Sequence, residues 1–506
     1  MNPVLETTWL LKSVIENNDL IMTIGKDFVV EIDAPISSEM TVYDDFDANL
    51  WNANHILCRL DKQIFQLHKN SSCIAEVRAA AKTRFWWDLP DSDVKDTLKK
   101  IIRLRAVMPV ASLRLYSSHF SLRNSDDKIV AKGQLSQSIV GEHSLHYLTL
   151  KEMRGYNKCF SQAKKRLKTL LDREVPDFCL KTMLIEQKLM GTAKQGPPPV
   201  HLTPQMPAEI AVRTMAVAMI AQAILNVDGV VSDTDTVFLH QFRVSVRKLR
   251  SLTSLLKKSL PPSTLEIVAP KLSDIAGKTS RLRDLDVFLL EKDSYRTLLP
   301  ELHEDGLNVL YTLVEKQRQQ ENIRLARYFL SSKFQQDIAE CKAELAAEPA
   351  FSTPMSKEPV LSVAKSLLIR RYRKILSMSM QLNATSDDED VHDIRKEFKK
   401  FRYLIEFFIE LLPKKRTSRL LAQLKRLQLT LGQFNDYCVQ IEFLHGFDDD
   451  SQIEMTKALS GLTAILHHKQ IETRNQVEAA LARFFTDEMA MEIELAFGAK
   501  SIGDKT

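Results

Sequence analysis

Two eleven-residue stretches hold the residues best placed for chemistry, His240-Gln-Phe-Arg-Val-Ser-Val-Arg-Lys-Leu-Arg250 and His392-Asp-Ile-Arg-Lys-Glu-Phe-Lys-Lys-Phe-Arg402. On a helix, at about 100° per residue, positions three, seven and ten after each histidine fall on one narrow stripe with it. That stripe is His240, Arg243, Arg247 and Arg250 in the first copy and His392, Arg395, Lys399 and Arg402 in the second. Phe242, Val246 and Leu249, and likewise Ile394, Phe398 and Phe401, form an adjacent apolar face. One side packs while the next presents cations. Like charges on neighbouring turns repel by a few tenths of a kcal/mol per pair, so stability alone does not favour the pattern. An anion is its natural complement: arginine meets phosphate as a planar fork, lysine as a point charge, and a histidine beside the bound anion is driven toward its charged form. A single such helix would read as a solvated basic face with an orienting histidine; two with the same spacing read as a site.

The second copy follows the first by 152 residues, and the same offset pairs Leu260-Pro261 with Leu412-Pro413, Asp284 with Asp436 and Arg213 with Lys365, without a gap. Such self-similarity is the signature of a duplicated module. Two modules of roughly four helices fit 207–350 and 355–500, joined at Glu348-Pro-Ala-Phe-Ser-Thr-Pro354, with a basic residue on each first helix.

The elements that position these stripes follow from texture. From Pro207 onward the chain is dominated by helix formers with 3.6-residue apolar spacing, which predicts an all-α region over 207–500. Before it, Phe28–Ile32, Thr41–Tyr43, Gln63–Leu67, Leu113–Tyr116, Lys128–Lys132 and Leu145–Leu150 are short and β-branched or aromatic. They predict the strands of an α+β domain over 1–190, with a largely antiparallel sheet and helices near 91–106 and 157–171. The glycines and clustered prolines of 191–206 suit a linker.

Composition narrows the classes of function. Lys and Arg number 70 against 65 Asp and Glu, a net charge of +5, too mild for a surface that traps nucleic acid generally. Six scattered cysteines without a C-x-x-C pair argue against a zinc ribbon or disulfide framework, and no glycine-rich phosphate loop is present. His143 with His146, and His467 with His468, lack a third ligand at useful spacing, and the cations flanking His240 and His392 oppose a divalent ion, so no metal site is expected. The apolar run Met215–Val227, interrupted by Gln222, is shorter than the roughly 20 residues a membrane span needs, and a cytoplasmic protein without a membrane partner is expected. Arg370-Arg-Tyr-Arg-Lys374 is a candidate extension of the cationic face, and Asp387–Asp390 suits the N-terminus of a helix.

At its two histidine stretches the chain resembles the CHAD family, the conserved histidine α-helical domain, whose halves each carry H-x-x-R-x-x-x-[RK]-[RK]-x-R and a later [RN]-D, here Arg283-Asp284 and Asn435-Asp436. The resemblance implies two pseudo-symmetric helical bundles enclosing a basic cleft that binds inorganic polyphosphate, with targeting to polyphosphate granules. Its site residues would be His240, Arg243, Arg247, Lys248, Arg250 and Arg283 with Arg213, and His392, Arg395, Lys399, Lys400 and Arg402 with Lys365. Asp393 and Glu397 in the second copy would weaken that half. The N-terminal region is similar to a decayed CYTH, or triphosphate-tunnel, domain: Tyr43-Asp-Asp-Phe-Asp runs toward Arg59, and Leu148–Lys151 sits where that family has an acidic strand. Its E-x-E-x-K hallmark is missing, Glu6 being the nearest remnant. A tunnel enzyme needs several carboxylates to hold Mg or Mn, whereas basic residues such as Arg59, Arg78, Arg114, Lys132 and Lys151 bind phosphate without cleaving it, so an inert domain is expected. The competing readings are a divalent-metal-dependent triphosphatase and a scaffold for nucleic acid or protein.

Overall fold

Alternating apolar residues in the first part of the chain form ten strands: β1 (Glu6–Leu11), β2 (Val29–Ile32), β3 (Ile36–Asp44), β4 (His55–Leu60), β5 (Ile64–Lys69), β6 (Ser72–Arg78), β7 (Met108–Arg123), β8 (Ile129–Val140), β9 (His143–Glu152) and β10 (Leu171–Val175). They make one antiparallel sheet in the order β10-β1-β9-β8-β7-β3-β4-β5-β6, with β2 added on β7. The computed structural model describes residues 6–60, 63–69, 72–80, 82–175, 179–187, 200–383, 386–447 and 453–498. Contacts divide the chain into two units, 1–195 and 196–506. Of the expected linker, residues 191–199 lie outside the described residues.

In the sheet unit, period-2 alternation sends side chains to two faces. Trp9, Phe120, Leu148 and Leu150 pack under α1 (Asn17–Ile24) and α4 (Asn157–Leu167). Leu57, Phe65 and Leu67 pack with Leu98 of α3 (Asp93–Ile102); the short α2 (Asn49–Asn52) adds Leu50. Met40, Val42, Cys58 and Leu113 meet Met183 and Leu184 of α5 (Leu180–Glu186). The predicted strands are all present, and β7 and β8 run far beyond the segments that predicted them.

The second unit is helical: α6 (Ala208–Ile224), α7 (Val227–Val231), α8 (Thr236–Leu255), α9 (Pro262–Lys278), α10 (Ser280–Leu290), α11 (Lys292–Leu298), α12 (Glu304–Leu330), α13 (Ser332–Ala346), α14 (Pro354–Lys357), α15 (Val360–Gln381), α16 (Asp388–Phe407), α17 (Lys414–His445), α18 (Ile453–Phe484) and α19 (Asp487–Phe497). The offset of 152 residues carries α8 onto α16 at both ends, and the short 3-10 turn Lys257–Ser259 onto Ile409–Leu411. The halves share a core: Phe242, Leu249 and Phe329 belong to one apolar cluster with Phe398, Leu404 and Phe434. A second cluster joins Phe288 and Leu310 to Leu444 and Leu462. Asp388, Glu389 and Asp390 occupy the first turn of α16, where acids complement the helix dipole.

One stretch, Ala208–Val231, has the length and hydropathy of a membrane span, at a mean of 1.7, and half of it is buried inside the protein. The extra apolar reach relative to the Met215–Val227 run comes from the alanines and valines of α6, which packs on α8, α13 and α14 as a core helix.

Candidate functional site

The apolar faces of α8 and α16 feed one core, and the two helices pack on each other, which brings the cationic stripes together. Arg247 lies near enough to raise the local potential at both Arg395 and Lys399. Burial, with Arg395, Arg247 and Arg402 adding to it and only Asp436 opposing, pushes the Lys399 amine down to about 8. Burial likewise lowers Arg395 and Arg243, with Asp436 and Asp284 respectively pulling back. The aspartate opposing each stripe is thus the one the repeat pairs, and burial raises the carboxyl of both Asp284 and Asp436 against the pull of those cations. The sequence displayed these two acids as a repeat but gave them no role.

The side chains of four stripe cations, Arg247, Arg250, Arg395 and Lys399, have no hydrogen bond or ion pair among the described residues, and Arg395 Nε is buried without a partner. Arg243 differs. Its Nη1 donates to the Ala276 carbonyl at 3.1 Å, Thr279 Oγ1 at 2.7 Å and Ser280 Oγ at 3.1 Å. Those acceptors exist because the first half breaks between α9 and α10 at Thr279, whereas the equivalent stretch of α17, around Leu431, runs on as helix.

The remaining cations are paired. Glu406 receives Lys248 Nζ at 2.9 Å and Arg402 Nε at 2.6 Å, bridging α8 to α16; burial alone would raise its pKa, but the two cations hold it below the ordinary carboxylate value. Glu397, buried at 4% exposure, gathers Lys400, Arg371 and Lys374. Burial would raise this carboxyl too, but hydrogen bonds from Lys400, Arg371 and Lys374 bring it to about 2. Glu397 therefore organises its own side of α16 instead of weakening the stripe, and Arg371 and Lys374 serve that cluster instead of extending the cationic face.

Arg213 is corrected outright. Only 6% exposed, it donates to Glu209 Oε1 at 2.9 Å and to the Glu344 carbonyl at 2.6 Å, and Glu209 also caps the backbone N–H groups of Ala350 and Phe351. It ties the first helix to the joint between the halves and is not a surface cation. Its repeat partner Lys365 carries its Nζ to 3.5 Å from where a Cβ on Gly498 would stand, at the C-terminal cap of α19. His240 and His392 are both half-buried at the starts of their stripes, and Arg283 is half-buried beside Asp284.

In the sheet unit Glu6, Lys151, Arg114 and Arg59 make local contacts, while Arg78 and Lys132 are exposed. Glu6 lies opposite Lys151 across β1 and β9, at 3.6 Å, and Arg114 approaches Glu39 at 3.7 Å. Arg59 stacks over Tyr43 and Phe65. Asp44 accepts the N–H groups of Asp45, Leu50 and Trp51, and burial pushes it up to about 6; Asp45 accepts those of Asp47 and Asn49. The Tyr43-Asp-Asp motif is therefore a turn clamp. Among the described residues no three His, Cys, Asp or Glu side chains converge as a metal site.

A family model described as the CHAD domain matches residues 215–445. This chain carries a CHAD domain. The match takes in both histidine stretches, Asp284 and Asp436, so the facing stripes belong to the CHAD domain, while Arg213 precedes it and α18 and α19 follow it. Among solved structures, the CHAD domain from the plant Ricinus communis is 22% identical over 56% of this chain and 95% of its own, with a TM-score of 0.47. PptA from Streptomyces chartreusis is 14% identical over 55% and 99%, at 0.43. HpAC1 from Hippeastrum, described with a dominant triphosphatase activity, is 8% identical over 37% and 96%, at 0.26. No curated protein matches the chain.

Proposed function

We propose that the CHAD domain of this chain binds long inorganic polyphosphate across α8 and α16, and that the protein gathers on polyphosphate granules in the cytoplasm. One observation carries the reading: Arg247 from one half lies close enough to Arg395 and Lys399 from the other to raise the potential at both, none of the three is in an ion pair among the described residues, and burial first, with Arg395 and Arg247 adding to it, brings the lysine down to about 8. Holding like charges together in a half-buried place is unfavourable in the free protein, and a flexible polyanion relieves it along its whole length. Polyphosphate supplies such charge without bases that must be accommodated. Nucleic acid offers the same phosphate chemistry at lower charge per unit length. An electrophoretic shift with long-chain polyphosphate, competed by nucleic acid at equal phosphate concentration, tests the proposal. Binding that survives the competitor supports it; no shift at moderate salt, or displacement by nucleic acid, refutes it.

A further inference from the structure

We infer that the polyanion groove is one-sided: the chain runs out of the central cluster along the first half, over Ser254 and Lys257, and is stopped on the second half by Glu406 and Ile409. This rests on the polyphosphate reading and adds to it a direction and a second subsite. The repeat supplies the comparison. Continuing each stripe by a further four and seven residues gives Ser254 and Lys257 after Arg250, but Glu406 and Ile409 after Arg402.

The two ends differ in charge and in space. The side chains of Arg250 and Lys257 are exposed and make no ion pair or hydrogen bond among the described residues, so the first stripe keeps its cations into the 3-10 turn that follows α8. At the equivalent of Arg250, Arg402 is tied to Glu406 Oε1 at 2.6 Å and to Gln428 Oε1 at 2.9 Å. Glu406 is kept ionised by that pair and by Lys248, and a fixed carboxylate repels an incoming phosphoryl group. Ile409, 45% exposed, has no polar group to offer an anion in place of Lys257.

Space differs in kind: Glu406 and Ile409 line a cavity of about 380 Å³, but they share it with the apolar Met215, Met219 and Phe407. A groove of about 550 Å³ opens beside the first stripe, lined by Arg247, Arg250, Ser254, Lys257 and Ser273, with Lys400 reaching in from the second half. Its far wall, on α9, is small at Ala269 and hydroxylated at Ser273; the repeat places Leu421 and Lys425 at those positions on α17. Hydroxyls and unpaired cations together suit the bridging and terminal oxygens of a phosphate chain. A short oligophosphate would fill the central cluster, and only a longer one would reach Ser254 and Lys257.

Two variants of the full chain test this by calorimetry against tripolyphosphate and long-chain polyphosphate: Ser254→Glu, which gives the first half the residue of the second, and Lys257→Gln. Both positions are exposed, and the two changes act by different means, repulsion and loss of a cation. Long-chain affinity should fall about tenfold in S254E and less in K257Q, with a shallower salt dependence in both, while tripolyphosphate binding changes by no more than about twofold. Equal effects on both lengths, or none on either, would overturn the one-sided groove. Wild-type protein that binds neither ligand would instead refute polyphosphate binding itself, before any variant is compared.

Discussion

Pro207 and Pro359, equivalent residues 152 positions apart, face each other in an isolated antiparallel bridge. Its two hydrogen bonds are themselves equivalent: Ala208 N–H donates to the Glu358 carbonyl at 2.9 Å, and Val360 N–H to the Met206 carbonyl at 2.8 Å. The halves of the helical unit are thus joined at a local two-fold, at the starts of α6 and α15. Because their apolar clusters are also shared, residues 207–350 alone should not unfold cooperatively. Thermal unfolding of that fragment followed by circular dichroism checks this; a sharp transition like that of the intact unit would show the half to be autonomous.

Arg243 and Arg247 look interchangeable on a helical wheel but should behave as opposites. Arg243→Ala removes three hydrogen bonds at the α9–α10 break and should destabilise the protein by about 1–3 kcal/mol. Arg247→Ala removes a like charge from beside Arg395 and Lys399 and should leave stability unchanged or slightly higher. Denaturant midpoints of the two variants decide the matter, and equal losses would mean that the stripe is uniformly structural.

Lys399 sets a pH dependence. At about 8 in the free protein it is below the ordinary lysine value of 10.5, and a bound anion should pull it back up. Below pH 8 the amine is already charged and affinity is full; as pH rises above 8 a proton must be taken up on binding, so affinity should fall by at most about tenfold per pH unit. Lys399→Arg, always charged, should abolish that decline and keep binding. A flat wild-type profile from about pH 7 to 10 would remove Lys399 from the site.

Glu397 controls acid stability. Its folded carboxyl titrates at about 2 against an ordinary glutamate value of 4.5, so its stabilisation is complete above pH 4.5 and lost as pH falls toward 2. Glu397→Gln should cost about 2 kcal/mol at neutral pH, because Arg371, Lys374 and Lys400 lose a shared buried partner, and should flatten the stability profile in that acid range. Urea unfolding between about pH 2 and 6 measures both effects.

Much of this architecture was legible because duplication leaves a register. The 152-residue offset paired the motifs that lie on α8 and α16, two helices whose bounds match at that offset to the residue, and helical periodicity separated their core faces from their cations. Periodicity could not say which cations are neutralised from other helices, as Lys248 is by Glu406 and Arg371 by Glu397; the i,i+4 pair of Glu209 and Arg213 was open to it, but not the burial of that pair. In the sheet unit, alternation found the cores of six strands but not β1, β4, β6 or β10: β4 carries an unbroken apolar run at Ile56-Leu-Cys58, and β1 opens on polar residues that pair across the sheet, as Thr8 does with Thr149. Asp44 and Asp45 resembled tunnel residues in sequence; only their backbone partners reveal a clamp.

Arg247→Glu is the most direct test of the facing stripes, because it installs a carboxylate beside Arg395 and Lys399, where the phosphate chain is proposed to lie. Titrating the full chain with long-chain polyphosphate should show affinity lower by tenfold or more, a shallower dependence on salt, and a free protein at least as stable as wild type, by about 1 kcal/mol or less. Unchanged affinity and salt dependence in a folded Arg247→Glu protein would contradict a polyphosphate site between α8 and α16.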